Sequence, residues 1–207
     1  MNQIKDYLQT QALKLNRDEV AISRAAAQTV LQNGRAHIEN RVILHDQLPQ
    51  EIASQTKALK QLFMALDSTN TRQKAQTAVI YGWQPESNQL IRLAQTGKPI
   101  ETLIPVNEDN AWQYLAARTV NSGWANIAED VARWLEIDEL KGEHNRRAVS
   151  QISLPIAGKD GIVYGVLHIE TAQMQPENEI ADWVGLALGV LPVLSQLLPQ
   201  ETAEDEA

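Results

Sequence analysis

The stretch from Ile162 to Ile169 constrains the fold more than any other part of the sequence. It is rich in β-branched and aliphatic residues, and successive side chains of a strand point to opposite faces of a sheet. Both faces of this strand would be largely apolar, so both must be covered. The sequence therefore predicts a sheet with helices on its two faces. One face would carry Ile162, Tyr164, Val166 and His168, and the other Val163, Gly165, Leu167 and Ile169.

The residues before position 67 are predicted to form three or four helices. Ile4, Leu8 and Leu15 lie on one stripe of an amphipathic helix over 3–15. Asp18 and Glu19 suit the acid-rich first turn of a second helix. No segment in this part has the alternation of a strand. Further helical positions are Ile38, Val42 and Ile43, continuing to about Leu44, and then Ile52, Leu59, Phe63 and Leu66 after Pro49.

After residue 66 the periodicity changes to that of strands. Two hairpins are predicted, each with turn-forming residues between its two apolar runs. The helices before 66 and after 176 can then cover one face of the sheet together, which gives an antiparallel-rich α/β domain of three layers. The hairpins are 78–83 with 89–94 and 152–156 with 162–169; short strands are expected at 103–106 and 124–127, and helices at 110–118, 130–135 and about 176–198.

This order of elements resembles the GAF domain, a small-molecule sensing fold of bacterial and eukaryotic signalling proteins. Residues 111–119 look like the helix before the central strand of that family, and 123–130 look like the strand and its acidic turn. Residues 150–156 and 165–170, with the step Leu154-Pro155, look like the last two strands. The resemblance covers about 52–198. It implies a GAF-like central antiparallel sheet, covered by helices on both faces and preceded by a helical segment: a helical extension at 1–50, the GAF-like domain at 51–199 and an acidic tail at 200–207.

The resemblance also implies a ligand site on the sheet face opposite the terminal helices, within residues 107–150. Four of the five tryptophans lie between positions 83 and 134, and tryptophan suits the wall of a pocket as well as a core. We expect Trp112 or Trp124 to wall a cavity and Asn126 or an arginine to orient a polar ligand, although core packing remains an alternative for the tryptophans. The candidate ligand-binding residues are Trp112, Arg118, Trp124, Asn126, Trp134 and Arg147.

The segment Trp183–Leu191 is apolar nearly all round, so the sheet alone cannot bury it. Helices from the same chain or from a second copy must cover the rest. We therefore expect a homodimer built on helices. Its candidate interface residues are Trp183, Leu186, Val190 and Leu194.

The charge distribution argues against nucleic acid as a partner. Residues 1–66 have a net charge of +2, whereas 67–207 have −10, and an acidic surface repels phosphates. The start of the chain has no signal-peptide pattern, and the most apolar stretch is too short and too interrupted for a membrane span. A cytoplasmic protein with no membrane partner is expected.

No residue pattern in the sequence is typical of catalysis. There is no cysteine, which argues against bilin attachment and against the cysteine chemistry of the GAF-like free methionine sulfoxide reductases. The cyclic-nucleotide signature Asn-Lys-Phe-Asp-Glu is absent, and the four histidines lack metal-site spacing. We expect no enzyme activity, no metal and no cofactor. Two functions remain open: a sensory or regulatory module that binds a small molecule and signals through helical dimer contacts or a partner protein, and a ligand-free interaction or scaffold protein.

Overall fold

The computed structural model describes residues 2–33 and 48–200. The front of the chain is helical, as the spacing of its apolar residues predicts. The second helix, α2, begins at Arg17, directly after Asn16. The side-chain oxygen of Asn16 accepts hydrogen bonds from the backbone N–H groups of Asp18 and Glu19 at 2.9 and 3.4 Å. The predicted continuation through Ile38, Val42 and Ile43 lies outside the described residues. The helices are α1 Asn2–Thr10, α2 Arg17–Asn33, α3 Gln50–Ala53 and α4 Thr56–Gln73.

Six strands form one antiparallel sheet in the order β3-β2-β1-β6-β5-β4. Both predicted hairpins are present, and the second-hairpin strand β6 pairs with β1 of the first, so the two hairpins make the centre of the sheet. The predicted central antiparallel sheet with helices on both faces is confirmed. The strands are β1 Thr77–Gln84, β2 Gln89–Gly97, β3 Leu103–Pro105, β4 Asn126–Ala128, β5 Ser150–Ala157 and β6 Val163–Thr171.

The largest core lies between one face of the sheet and the terminal helices. The last helix, α8 Ala181–Leu197, packs with α2 and α4 over aliphatic side chains of β1, β5 and β6. Residues on both sides of position 50 share this core, because Ile4 and Val20 are buried in the same cluster as Leu186. The front helices therefore complete the layer that the sheet and α8 begin.

Helix α2 approaches α8 closely because small residues line their contact. A Cβ added to Gly185 would lie 2.4 Å from Cβ of Ser23, and one added to Gly189 would lie 2.9 Å from Cβ of Ala27. Gly185 and Gly189 are one helical turn apart on α8, and Ser23 and Ala27 are one turn apart on α2. The two helices therefore meet along a seam of small side chains. No larger side chain fits this seam without moving a backbone.

The four residues predicted for a dimer interface are buried within one chain. Trp183, Leu186, Val190 and Leu194 are each 0% exposed. Helices α2 and α4 of the same chain cover them, which is the same-chain alternative that the apolar pattern of α8 left open. A homodimer remains a prediction, and it would have to use another surface.

A second group of short helices covers the opposite face of the sheet. One helix was expected over 110–118, but the chain forms α5 Glu108–Gln113 and α6 Leu115–Ser122, separated by Tyr114 in an extended conformation (φ −129°, ψ 115°). Helix α7 Val131–Glu136 and the 3₁₀ turn Glu143–Arg147 complete this layer. No helix within residues 2–33 and 48–200 is long and apolar enough to cross a membrane.

Candidate functional site

The two faces of the sheet differ sharply in chemistry. The face toward α8 carries aliphatic side chains such as Ile152, Leu154 and Leu167. The opposite face carries polar side chains that are at most 5% exposed, in register across three neighbouring strands. Polar groups are costly to bury without a purpose, so this face is where a functional site is expected. The polar residues are Thr77 and Tyr81 on β1, Gln151 and Ser153 on β5, and His168 and Glu170 on β6.

A small cavity separates these side chains from the covering layer. Its volume of about 10 Å³ corresponds to a single water molecule. The ring of His144 closes one side by stacking on Tyr114, with 4.6 Å between ring centres, and its Nε2 lies 3.1 Å from the carbonyl oxygen of Gln113. The lining residues are Ile100, Glu101, Ile104, Tyr114, Leu115, Ala116, His144, Asn145, Gln151, His168 and Glu170.

Asn145 fixes the orientation of Gln151 at the cavity. The side-chain Nδ2 of Asn145 donates to the carbonyl oxygens of Gln113 at 2.9 Å and Lys141 at 2.6 Å, so its Oδ1 must point toward Gln151. Gln151 Nε2 donates to that Oδ1 at 2.9 Å. Gln151 Oε1 is then left buried, and it has no hydrogen-bond partner among the described residues. An unpaired acceptor therefore stands at the cavity.

His168 is a second buried group with an unpaired atom. It is 5% exposed, and its Nδ1 has no partner in the described part of the chain. Burial is the main cause that lowers the pKa of His168 from 6.5 to about 4, and the nearby Arg147 and His144 contribute to the same shift. The imidazole is therefore neutral at pH 7 and can present a lone pair.

We expect acid to destabilise the protein through His168. Between pH 6.5 and about 4 the unfolded chain binds a proton at this residue and the folded chain does not, so the free energy of unfolding falls as the pH falls. The loss should approach roughly 3 kcal/mol near pH 4. Urea unfolding from pH 7 to 4 should show a shallower decline for His168→Leu than for the wild type. Parallel curves for the two proteins would contradict the assignment.

Glu170 lines the cavity and forms an ion pair with Arg147. Arg147 Nη2 lies 2.8 Å from Glu170 Oε2. Burial raises the pKa of Glu170, and the charge of Arg147 offsets part of that rise. The guanidinium also donates to the carbonyl oxygen of Pro99 at 2.6 Å and to Oγ1 of Thr77 at 2.9 Å. Arg147 therefore ties the 3₁₀ turn to the sheet.

Three of the predicted site residues, Trp112, Arg118 and Trp134, lie together on the outer side of the helical layer that covers the cavity. The Arg118 guanidinium is 5.1 Å from the ring centre of Trp112 and 5.7 Å from that of Trp134. It donates to the carbonyl oxygen of Ala111 at 2.9 Å and also to that of Glu139. Trp112 is 45% exposed. This cluster joins α5 to the segment after α7 and does not line the cavity.

Trp124 and Asn126 lie at the far end of α6. Asn126 Nδ2 donates to Thr119 Oγ1 and to the carbonyl oxygen of Trp124, both at 3.0 Å. The exposed Trp124 ring borders a separate cleft of about 280 Å³ between α1 and the turn that joins β5 to β6. Of the six predicted residues, Arg147 forms an ion pair with a lining residue, and its role in orienting a ligand remains a prediction.

Most of the residues that line the cavity are not among the candidates drawn from the sequence. Tyr114, Gln151 and Glu170 are absent from those candidates, and His168 is assigned only to one face of the strand over 162–169. A usable signal was present in residues 150–157, where polar and aliphatic side chains alternate in a strand that is buried on both faces. Such alternation places buried polar groups on one side of the sheet.

No protein-family model matches the sequence, and no curated protein matches it either. Solved structures do match. The GAF domain of an Acinetobacter phosphoenolpyruvate-protein phosphotransferase superposes with a TM-score of 0.60 at 13% identity, covering 88% of this chain and 96% of that one. A putative GAF sensor protein from Burkholderia vietnamiensis gives 0.56 at 14% identity, with coverages of 88% and 98%.

An enzyme has the same fold. The free methionine-R-sulfoxide reductase from Neisseria meningitidis, solved in complex with its substrate, matches with a TM-score of 0.56 at 17% identity, covering 91% of this chain and 95% of that one. Identities this low establish a shared fold and no more. The expectation that the chain is not an enzyme is nevertheless wrong as drawn, because its fold is one that reductases also use.

Proposed function

Because the chain has a GAF-like fold, we propose that it is a sensory or regulatory module that binds a small molecule between the polar face of the sheet and its cover. The cover comprises α5, α6, α7 and the turn Glu143–Arg147. One observation carries the proposal: buried polar atoms of Gln151 and His168 stand unpaired at the same cavity.

The energetics of this arrangement favour a binding role over a purely structural one. A buried polar atom without a partner costs about 1–3 kcal/mol, whereas an apolar residue of similar shape would avoid that cost. The face of the same sheet that packs against α8 carries only apolar residues at the corresponding strand centres. Sites that bind ligands commonly keep groups that destabilise the empty protein. A ligand that supplies hydrogen bonds to Gln151 and His168 would recover the lost energy.

A route from the cover to the terminal helices supports a signalling role. Gln11 of α1 donates through Nε2 to the carbonyl oxygen of Gly123 at 3.0 Å and accepts from the backbone N–H of Ala125 at 2.5 Å. These two residues follow α6 directly. Tyr7 of α1 also donates to the carbonyl oxygen of Pro155 on β5 at 2.9 Å. A ligand that displaces α6 would therefore shift α1, from which a second copy or a partner protein could take the signal.

The alternative is a ligand-free interaction or scaffold protein. The size of the cavity favours it, because about 10 Å³ holds no organic molecule unless the cover opens or the ligand enters only in part. In that case the GAF-like domain would act through dimerisation and partner contacts alone. The two functions differ in whether a small molecule changes the stability of the purified chain.

A ligand screen with a matched variant tests the proposal. Melting temperature and tryptophan fluorescence would be recorded against a broad metabolite library, since Trp112 and Trp134 stand on the cover. We expect at least one compound to raise the melting temperature of the wild type. His168→Leu should melt at the same temperature or higher without ligand and lose the response. Exposed Gln196→Leu on α8 is the control and should retain it. A library without a hit would favour the scaffold alternative, and a hit unchanged in His168→Leu would contradict binding at this cavity.

A further inference from the structure

We infer that the cavity recognises the ammonium group of a small primary amine that carries a short apolar substituent and no acidic group. The inference rests on the proposed function, because it names the class of ligand for that same site. It follows from three properties of the lining: the hydrogen-bonding atoms left unpaired, the charges present, and the space between them.

The unpaired atoms of the cavity call for a donor. Gln151 is 1% exposed, and its free atom is a carbonyl oxygen, which can only accept. Glu170, 3% exposed, contributes a carboxylate, and neutral His168 can present the lone pair of Nδ1. An ammonium group has three N–H donors and no acceptor. It can therefore donate to all three groups, including the Glu170 carboxylate that is already ion-paired with Arg147, whereas a carboxylate accepts hydrogen bonds and would leave Gln151 Oε1 unpaired beside the charge of Glu170.

The charge of the lining points the same way. Glu101 and Glu170 line the cavity, and none of its described lining residues is a lysine or an arginine. The guanidinium groups of two arginines on the same side of the sheet are held by protein partners, and that of Arg147 offsets part of the charge of Glu170. Arg147 is held by Pro99, Thr77 and Glu170, and Arg92 donates to Gln95 and to the carbonyl oxygen of Ile100. The two carboxylates attract a cation, and the described lining offers no lysine or arginine to pair with the carboxylate of a zwitterion.

The space available fits an ammonium head with the rest of the molecule outside. A volume of about 10 Å³ accommodates a group the size of a water molecule, which an ammonium group is. The lining residues that are partly exposed, and so mark the entrance, include Ile100, Tyr114 and His144. The two rings are stacked on each other. An alkyl or aryl substituent would contact these apolar and aromatic surfaces.

The test uses the complete chain and five probes that share a short carbon chain. Propylamine, propanol, propionate, β-alanine and trimethylpropylammonium would be titrated by calorimetry at pH 7 in phosphate buffer, since amine buffers would compete. We expect propylamine to bind about tenfold more tightly than any of the others, because a hydrogen bond to a charged group contributes that much. Trimethylpropylammonium keeps the charge but lacks N–H donors and has a head too large for the cavity, so binding as tight as that of propylamine would show that charge alone, outside the cavity, explains the affinity.

A matched pair of variants locates the binding. Glu170→Gln keeps the size of the side chain and removes its charge, so propylamine affinity should fall about tenfold. Glu86→Gln makes the same change at an exposed position in the turn between β1 and β2 and should bind like the wild type. Chemical shifts of the His144 and His168 ring protons should move with propylamine in the wild type. If Glu170→Gln does not fold, these shifts and the comparison of propylamine with propanol decide the matter.

The outcomes separate this inference from the proposed function. Preferential binding of propylamine that depends on Glu170 supports both. Binding of propanol, propionate or β-alanine as tight as that of propylamine would overturn the amine class, and so would unchanged affinity in Glu170→Gln. A compound from the broad library that binds and is lost in His168→Leu would still support the proposed function. A complete absence of binding in both experiments would overturn the two together.

Discussion

Leu186→Asp should leave no folded protein. Leu186 is 0% exposed and lies in the core that α8 shares with α2, α4 and the sheet. An aspartate there would lose the apolar contacts and place an uncompensated carboxylate in a site without water. Each of these changes costs several kcal/mol, which together match the whole stability of a typical domain, about 5–15 kcal/mol. Far-UV circular dichroism and urea titration should show an unfolded chain at 25 °C.

The control for this prediction lies on the same helix. Gln196 is exposed, so Gln196→Asp should fold like the wild type. A folded Leu186→Asp with a near-normal melting temperature would mean that this side of α8 is open to solvent in solution. Light scattering on the wild type tests the homodimer separately, and a dimer that survives would have to be built on surfaces other than Trp183, Leu186, Val190 and Leu194.

Gly185→Ala should destabilise the protein, although the same change stabilises an ordinary helix by about 1 kcal/mol. The added Cβ would lie 2.4 Å from Cβ of Ser23 and 2.7 Å from the backbone nitrogen of Arg24. Because the second contact is with backbone, α2 must move as a whole. We expect the free energy of unfolding to fall by about 3 kcal/mol, the upper part of the usual range for overpacking.

The comparison for Gly185→Ala is Gln196→Ala, which also introduces alanine into α8 but at an exposed position. Its free energy of unfolding should stay within about 0.5 kcal/mol of the wild type. Urea unfolding of the three proteins measures the difference. A stabilised Gly185→Ala would show that helix propensity outweighs packing here, and that α2 and α8 do not meet along the seam of small residues.

The sequence predicted the strands well because each is bounded by turn-forming residues and has an apolar face. The hairpin from Ile152 to Ile169 illustrates this, since its two apolar runs and its turn are sufficient to specify antiparallel pairing. The break at Tyr114 was not predictable, because the residues around it suit a continuous helix. What interrupts the helix is tertiary: the ring of Tyr114 stacks on His144, which lies thirty residues further along the chain.

The candidate site was harder to predict than the fold, because its residues come from separate segments that only the sheet brings together. Glu170 meets Gln151 across β5 and β6, and Thr77 across β6 and β1. Tryptophans attracted attention because they are large and clustered, yet Trp112 and Trp124 stand on the surface. The seam at Gly185 was missed for a related reason, since a glycine within an apolar helix says nothing about the helix it will meet.

A small molecule should occupy the cavity between the polar face of the sheet and its cover. Native mass spectrometry of the chain purified from the cells that make it tests this most directly, with His168→Leu prepared in the same way. We expect a wild-type species heavier than the bare chain by the mass of one small molecule, and a His168→Leu protein with the mass of the bare chain. A wild type that carries no small molecule and does not respond to any compound in the library would contradict it.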